Sequence, residues 1–213
     1  MLSSLTLLLA LTSLACIGSV SALPLTEGLR RDPTSDFGGP QPLDFSSLSG
    51  NCLLIARRIW SLSVILKTQL CDVDLVCDTS MAMILHNSVQ FPKISKEDGC
   101  YASDFNKQKC FRKIASGLYV YLPYLQLVQN AFAGEEKKIE NIQHTTKHLA
   151  DVIKMALNNT SNVKEMDKNQ QTVLESLPSD QEWTRKLTIR FILTDFANFM
   201  EKTIRAVRHV QNS

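Results

Sequence analysis

The chain has little that an enzyme needs. Its 213 residues contain no Gly-x-Ser-x-Gly elbow, no phosphate-binding glycine loop and no His-Glu-x-x-His pair, so hydrolases, kinases and zinc peptidases lack sequence support. Charge of one sign is also missing: 23 Lys and Arg stand against 21 Asp and Glu, a formal net charge of +2. That balance is too even for a dedicated nucleic-acid surface. No segment alternates with period two for long and no internal repeat is evident, which argues against sheets and solenoids. Beyond the first 22 residues no apolar run approaches the roughly 20 residues that cross a bilayer, so membrane insertion is not expected.

The exception among apolar runs is the start. From Met1 to Ala22 there is no charged side chain, six leucines lie between Leu5 and Leu14, and the stretch closes on Val20-Ser21-Ala22. Small residues at the last and third-last positions suit signal peptidase, although no Lys or Arg precedes the apolar core. Residues 1–22 therefore read as a signal peptide and the mature product as secreted and extracellular. Residues 23–50 are rich in Pro, Gly, Ser, Asp and Arg, as in Asp36-Phe37-Gly38-Gly39-Pro40-Gln41-Pro42. Such a segment buries too little to offset its ordering entropy and reads as a flexible leader. Residues 51–213 remain as one domain.

Within that domain the apolar spacing is helical throughout. Cys52, Ile55, Ile59, Leu62 and Leu66 alternate steps of three and four along a helix ending near Leu70. Phe111, Ile114, Leu118, Tyr121, Leu125, Val128 and Phe132 keep the same spacing over about six turns. Pro123 lies inside this run and should kink it, at a cost of about 3 kcal/mol unless packing offsets the lost donor; Gly134 closes it. A weaker stripe, Ile139, Ile142, Leu149, Val152 and Ala156, follows Glu135 and Glu136, which favour a helix start. Ser179 and Glu182 make a capping box for a last helix through Leu187, Ile192, Phe196, Phe199 and Val207.

Link lengths then constrain topology. About 35 residues join the first two helices, enough to run back along a rod of about 40 Å, so those helices can be parallel. A few residues around Gly134 force an antiparallel turn, and about 20 residues from Asn158 to Pro178 allow a second full crossover. The fold expected is all-α: a long-chain four-helix bundle, up-up-down-down, with two long crossover loops.

Without Cys16 in the signal, five cysteines remain: Cys52, Cys71, Cys77, Cys100 and Cys110. Cys52 is in phase with a buried stripe and reads as a free core thiol. Cys71 then pairs with Cys77 and Cys100 with Cys110, each closing a small loop. A zinc site is the rival, but the spacings miss the usual ligand pairs and no His is close in sequence. No cofactor or metal is expected.

The run Cys100, nine residues, Cys110, six residues, Gly117-Leu118, then Tyr121 and Leu125 resembles the signature of the interleukin-6/granulocyte colony-stimulating factor family. Phe91-Pro92-Lys93-Ile94, Glu97-Asp98-Gly99-Cys100 and the tail from Phe199 to Arg208 are more similar to the interleukin-6 branch, especially its non-mammalian forms. The resemblance covers essentially everything beyond the leader. It implies a secreted cytokine that binds a specific, interleukin-6-receptor-like chain and a shared signal-transducing chain, triggering kinase and transcription-factor signalling in immune and inflammatory, acute-phase responses. The alternatives are a granulocyte colony-stimulating factor-like growth factor and, from a different class, a secreted helical lipid carrier.

For the specific receptor chain the resemblance implies Arg205, Arg208, Tyr101 and Phe105. The residues support part of this: Arg205 and Arg208 lie off the apolar stripe, with Glu201 one turn before Arg205 to orient it, and arginine and aromatic anchors suit interface hot spots. Phe105 reads equally well as core. For the shared chain the resemblance implies Trp183, with Ile84 as its neighbour, and further surface on the first and third helices, where Arg58 and Leu62 stand. Asn158 and Asn159 begin overlapping glycosylation acceptors, Asn158-Asn159-Thr160 and Asn159-Thr160-Ser161. His144 and His148, four apart, read as surface histidines.

Overall fold

In the computed structural model, residues 45–74, 91–132, 134–175, 177 and 182–212 are described. They form α1 (Phe45–Asp74), α2 (Lys107–Ala131), α3 (Glu136–Met155), the short α4 (Lys168–Glu175) and α5 (Glu182–Gln211), plus single 3-10 turns at Lys96–Asp98 and Ala102–Asp104. No strand occurs among the described residues.

Side-chain register gives the direction of each long helix. Gln143 donates to Leu125 O at 3.1 Å and to Gln129 Oε1 at 2.9 Å, and Tyr119 donates to Asp151 at 2.5 Å. Beyond α3, the Asn158 N–H reaches Gln108 Oε1 at 3.1 Å. Partners rise along α2 as they fall along α3, so the two are antiparallel. Along α5, Phe199 lies on Gly117, while Tyr121 meets Phe196 and Phe199 at ring distances of 4.9 and 5.4 Å. That is again an antiparallel register. Gly50 faces Gln211 at one end of α1, and Gln69 near the other end donates to Glu135 in the α2–α3 turn at 3.5 Å. Hence α1 runs with α2 and against α3 and α5: up, up, down, down.

The helical stripes are what the bundle buries. Cys52, Ile59 and Leu66 of α1 are buried; so are Phe111, Ile114, Leu118, Tyr121, Leu125 and Val128 of α2. Ile139, Ile142, Leu149 and Val152 of α3 and Leu187, Ile192, Phe196, Phe199 and Val207 of α5 complete the set. Ile55, Leu62, Phe132 and Ala156 sit at the edge of this core, partly buried against it. Cys52 is the free cysteine among the described residues, and burial pushes its thiol up to about 11, so it stays protonated.

Helix α2 is one element with Pro123 inside it, as its in-phase stripe implies, and buried Tyr124 and Leu125 follow at once, the packing that offsets the missing donor. Two features depart from expectation. Helix α1 starts at Phe45, inside the stretch read as leader, because Pro42 is the last strong helix breaker and Gly50 within the helix costs only about 1 kcal/mol. The second crossover contains α4, a polar helix of 8 residues whose Leu174 packs partly against the core. The expected cap residue Ser179 and the segments 1–44 and 75–90 lie outside the described residues.

Mid-helix Gly117 has a packing reason. A methyl built there would fall 2.6 Å from Phe199 Cε2, inside the ring's contact surface. Gly117→Ala should therefore lower stability by about 1–3 kcal/mol through overpacking, although alanine is the better helix former by about 1 kcal/mol. Urea unfolding checks the sign.

Candidate functional site

The segment before α2 is tied at both ends. Ile94 is buried, and its carbonyl accepts from Lys202 Nζ of α5 at 2.8 Å. Next, the Ser95 N–H and hydroxyl both donate to Asp98 Oδ2, at 2.7 and 2.8 Å, and close the first 3-10 turn. Partial burial works to raise the Asp98 carboxyl, but those two donors and Lys113, 3.5 Å away, hold it below its ordinary value. Gly99 takes the left-handed backbone, φ +68°, that glycine adopts without strain. Its carbonyl accepts from the Asn106 N–H at 2.8 Å, and Asn106 in turn caps α2 by accepting from the Lys109 N–H at 3.0 Å. The Cys100–Cys110 disulfide then locks this loop onto the first turn of α2.

That construction sets the loop against the end of α5. Tyr101, Arg205 and Arg208 line one depression of about 320 Å³, together with Ile94, Lys202 and His209. Phe105 lies beside it, half-buried and packed partly against the core, edge-on to the His209 ring at 4.5 Å. Arg205 pairs with Glu201 on the exposed helix face. An exposed pair of this kind contributes only about 0.3–0.5 kcal/mol, so its effect is to orient the guanidinium. Tyr101 and Phe105 are thereby brought to the end of α5 that carries Arg205 and Arg208. Sequence patterning alone does not mark His209; its signal is its position four residues after Arg205, on the same face.

Elsewhere, Trp183 is exposed in the first turn of α5, about 33 Å along the helix from Arg205. Its expected neighbour Ile84 lies outside the described residues. On α1, Arg58 is exposed and Leu62 packs partly on the core; Leu54 and Ile65, which lie off the apolar stripe, are exposed on the face that carries Arg58. Cys71 is disulfide-bonded, and its expected partner Cys77 is outside the described residues. Asn158 and Asn159 are exposed just past α3. His144 and His148 are exposed, and no group of three metal-ligating side chains occurs among the described residues. No described helix is long and apolar enough to cross a membrane.

Residues 24–210 match the model of the Interleukin-6/G-CSF/MGF family. The chain belongs to that family. Interleukin-6 of Gallus gallus is 34% identical over 209 residues, covering 92% of this chain and 87% of the relative. Interleukin-6 of Orcinus orca is 29% identical over 187 residues, covering 87% and 88%. Among solved structures, a chain from a cytokine/receptor complex superposes with a TM-score of 0.65 at 18% identity, covering 75% of this chain and 96% of that one. The fold is therefore the helical-bundle cytokine fold, and this interleukin-6 family member is a cytokine and not an enzyme.

The disulfide is what holds the depression together, so its removal has a calculable effect. Closing a loop with a sequence separation of 10 contributes about 2–3 kcal/mol in the chain-entropy model. The Cys100→Ser, Cys110→Ser double variant should lose about that much in guanidinium unfolding.

Proposed function

We propose that the chain is a secreted interleukin-6-like ligand whose depression between the disulfide-held loop and the end of α5 binds a specific receptor chain. The observation that carries this reading is the convergence of Tyr101, Arg205 and Arg208 on that depression, with Phe105 beside it against His209. Arginine forks and aromatic rings on a rigid base are the residue types that dominate interface energies. A rigid base matters because a loop ordered only on binding would spend affinity on its own ordering. The solved relative's own setting, a cytokine/receptor complex, agrees with this assignment.

Trp183 gives a second contact, to the shared signal-transducing chain, with Ile84 as its neighbour. It is 48% exposed although tryptophan normally withdraws from water. Its distance from Arg205 lets one ligand touch two receptor chains without overlap. The outward face of α1, with Leu54, Arg58 and Ile65, supplies further surface for a copy of the shared chain. Binding two kinds of receptor chain outside the cell would bring their cytoplasmic kinases together, the route to inflammatory and acute-phase responses. Asn158 or Asn159 carries the glycan, on the exposed turn after α3.

Purified mature protein should bind an interleukin-6-receptor-type ectodomain in preference to a granulocyte colony-stimulating factor receptor. Arg205→Ala should weaken that binding by at least about 2 kcal/mol with the helical circular dichroism unchanged. Unaltered affinity in a folded variant contradicts the site assignment, and a stoichiometric lipid in the native mass spectrum would favour the carrier reading instead.

A further inference from the structure

Helix α3 buries Ile139, Ile142, Leu149 and Ile153 in the bundle and turns the opposite face outward. Lys137, His144, His148, Asp151 and Met155 follow on that outward face at steps of seven, four, three and four. Both histidines are exposed there, and so is Met155. Their polar neighbours are engaged: Asp151 accepts from the Tyr119 hydroxyl through Oδ1 and from Lys147 Nζ through Oδ2, while Thr145 donates to Asn141. His144 and His148, by contrast, have no hydrogen-bond or ion-pair partner among the described residues.

Two imidazoles one helical turn apart have Cβ atoms about 5–6 Å from each other. They can reach one cation, the arrangement that the helical His-Glu-x-x-His motif uses for zinc. Thr145 stands where that motif has its Glu, so the pair has the chelating half of the motif without its general base. Ligand count then identifies what completes the site. A closed zinc site takes four ligands, and this face offers two, because Asp151 is committed to Tyr119 and Lys147. No group of three metal-ligating side chains gathers elsewhere among the described residues. A second copy supplies the missing pair. In an antiparallel pair of α3 helices about a two-fold axis at the level of Thr146, each copy's His144 is level with the other's His148. Lys137 then comes level with Met155, and its aliphatic stem can cover that exposed side chain.

We propose that α3 carries a zinc site shared between two copies of this chain, with His144 and His148 of each copy as its four ligands. Imidazole nitrogens suit zinc, whose closed sites are tetrahedral. Zinc thereby sets the assembly state of the protein, monomer when free zinc is low and two-fold dimer when it is high. None of the residues on this α3 face lines the Tyr101–Arg205 depression, so the zinc site stands apart from the receptor assignment.

The test is sedimentation velocity of the full mature chain at micromolar concentration with zinc chloride added. Monomer should convert to dimer with an end point at one zinc per two chains, and a chelator should reverse the change. His144→Asn and His148→Asn each remove two of the four ligands. Each should weaken zinc-driven dimerisation by at least about tenfold, the lower bound for losing even a supporting group of a metal site. Both positions are exposed, so the helical circular dichroism of these variants should match the parent. A control, His86→Asn with His209→Asn, removes the chain's other two histidines and should dimerise as the parent does. Zinc held by monomers, dimerisation that survives His148→Asn, dimerisation lost in the control, or no response to zinc would each overturn the proposal. Failure here leaves the receptor reading intact, since that rests on Arg205.

Discussion

Tyr121 is fully buried where α2, α5 and the end of the first crossover meet. Its ring packs on Phe196 and Phe199 of α5, and its hydroxyl reaches out to donate to Pro92 O at 3.1 Å. Phe91 completes the cluster, edge-on to Tyr124 at 4.9 Å and to Phe191 at 5.2 Å. Such edge contacts contribute about 0.5–1.5 kcal/mol each beyond area burial, but their larger effect is positional. They hold Phe91 and Pro92 against the bundle, and everything from Lys93 to the disulfide follows from that attachment.

The Tyr101–Arg205 depression is a consequence of it. With Phe91 anchored and Cys100 bonded to Cys110, the segment between them has little freedom, and the bond from Lys202 to Ile94 O closes it onto α5. Rigid placement of Tyr101 and Phe105 beside Arg205 is thus a product of core packing and one covalent link. A wider groove on the other side of residues 91–98, lined by Lys93, Lys109, Arg112, Lys113 and Lys164, depends on the same anchor, since Phe91, Pro92 and Lys93 form part of its wall. One attachment point therefore shapes two surfaces.

Much of this was legible in the sequence because helices declare themselves by spacing. The stripes from Phe111 to Val128 and from Leu187 to Val207 repeat every three or four residues and are what the bundle buries. Link lengths sufficed for topology, since a tight turn and a long crossover leave few arrangements. The start of α1 was hidden because three serines and a glycine carry no apolar period, though nothing there forbids a helix. Helix α4 was hidden for the same reason: its sequence is polar except at Val173 and Leu174. At the site, Arg205 and Arg208 stood out by spacing and resemblance, whereas His209, which lines the same depression, also meets Phe105, a contact between residues 104 positions apart that no local pattern reveals. The groove was equally invisible, since its cations come from three segments.

The central claim is that the disulfide-held loop and the end of α5 act as one contact surface. Hydrogen–deuterium exchange of the full chain, with and without the specific receptor ectodomain, tests it most directly. Protection should appear together in residues 94–105 and 202–212 on binding. Protection confined to the α1 and α3 faces, with both of those segments unchanged, would contradict the account.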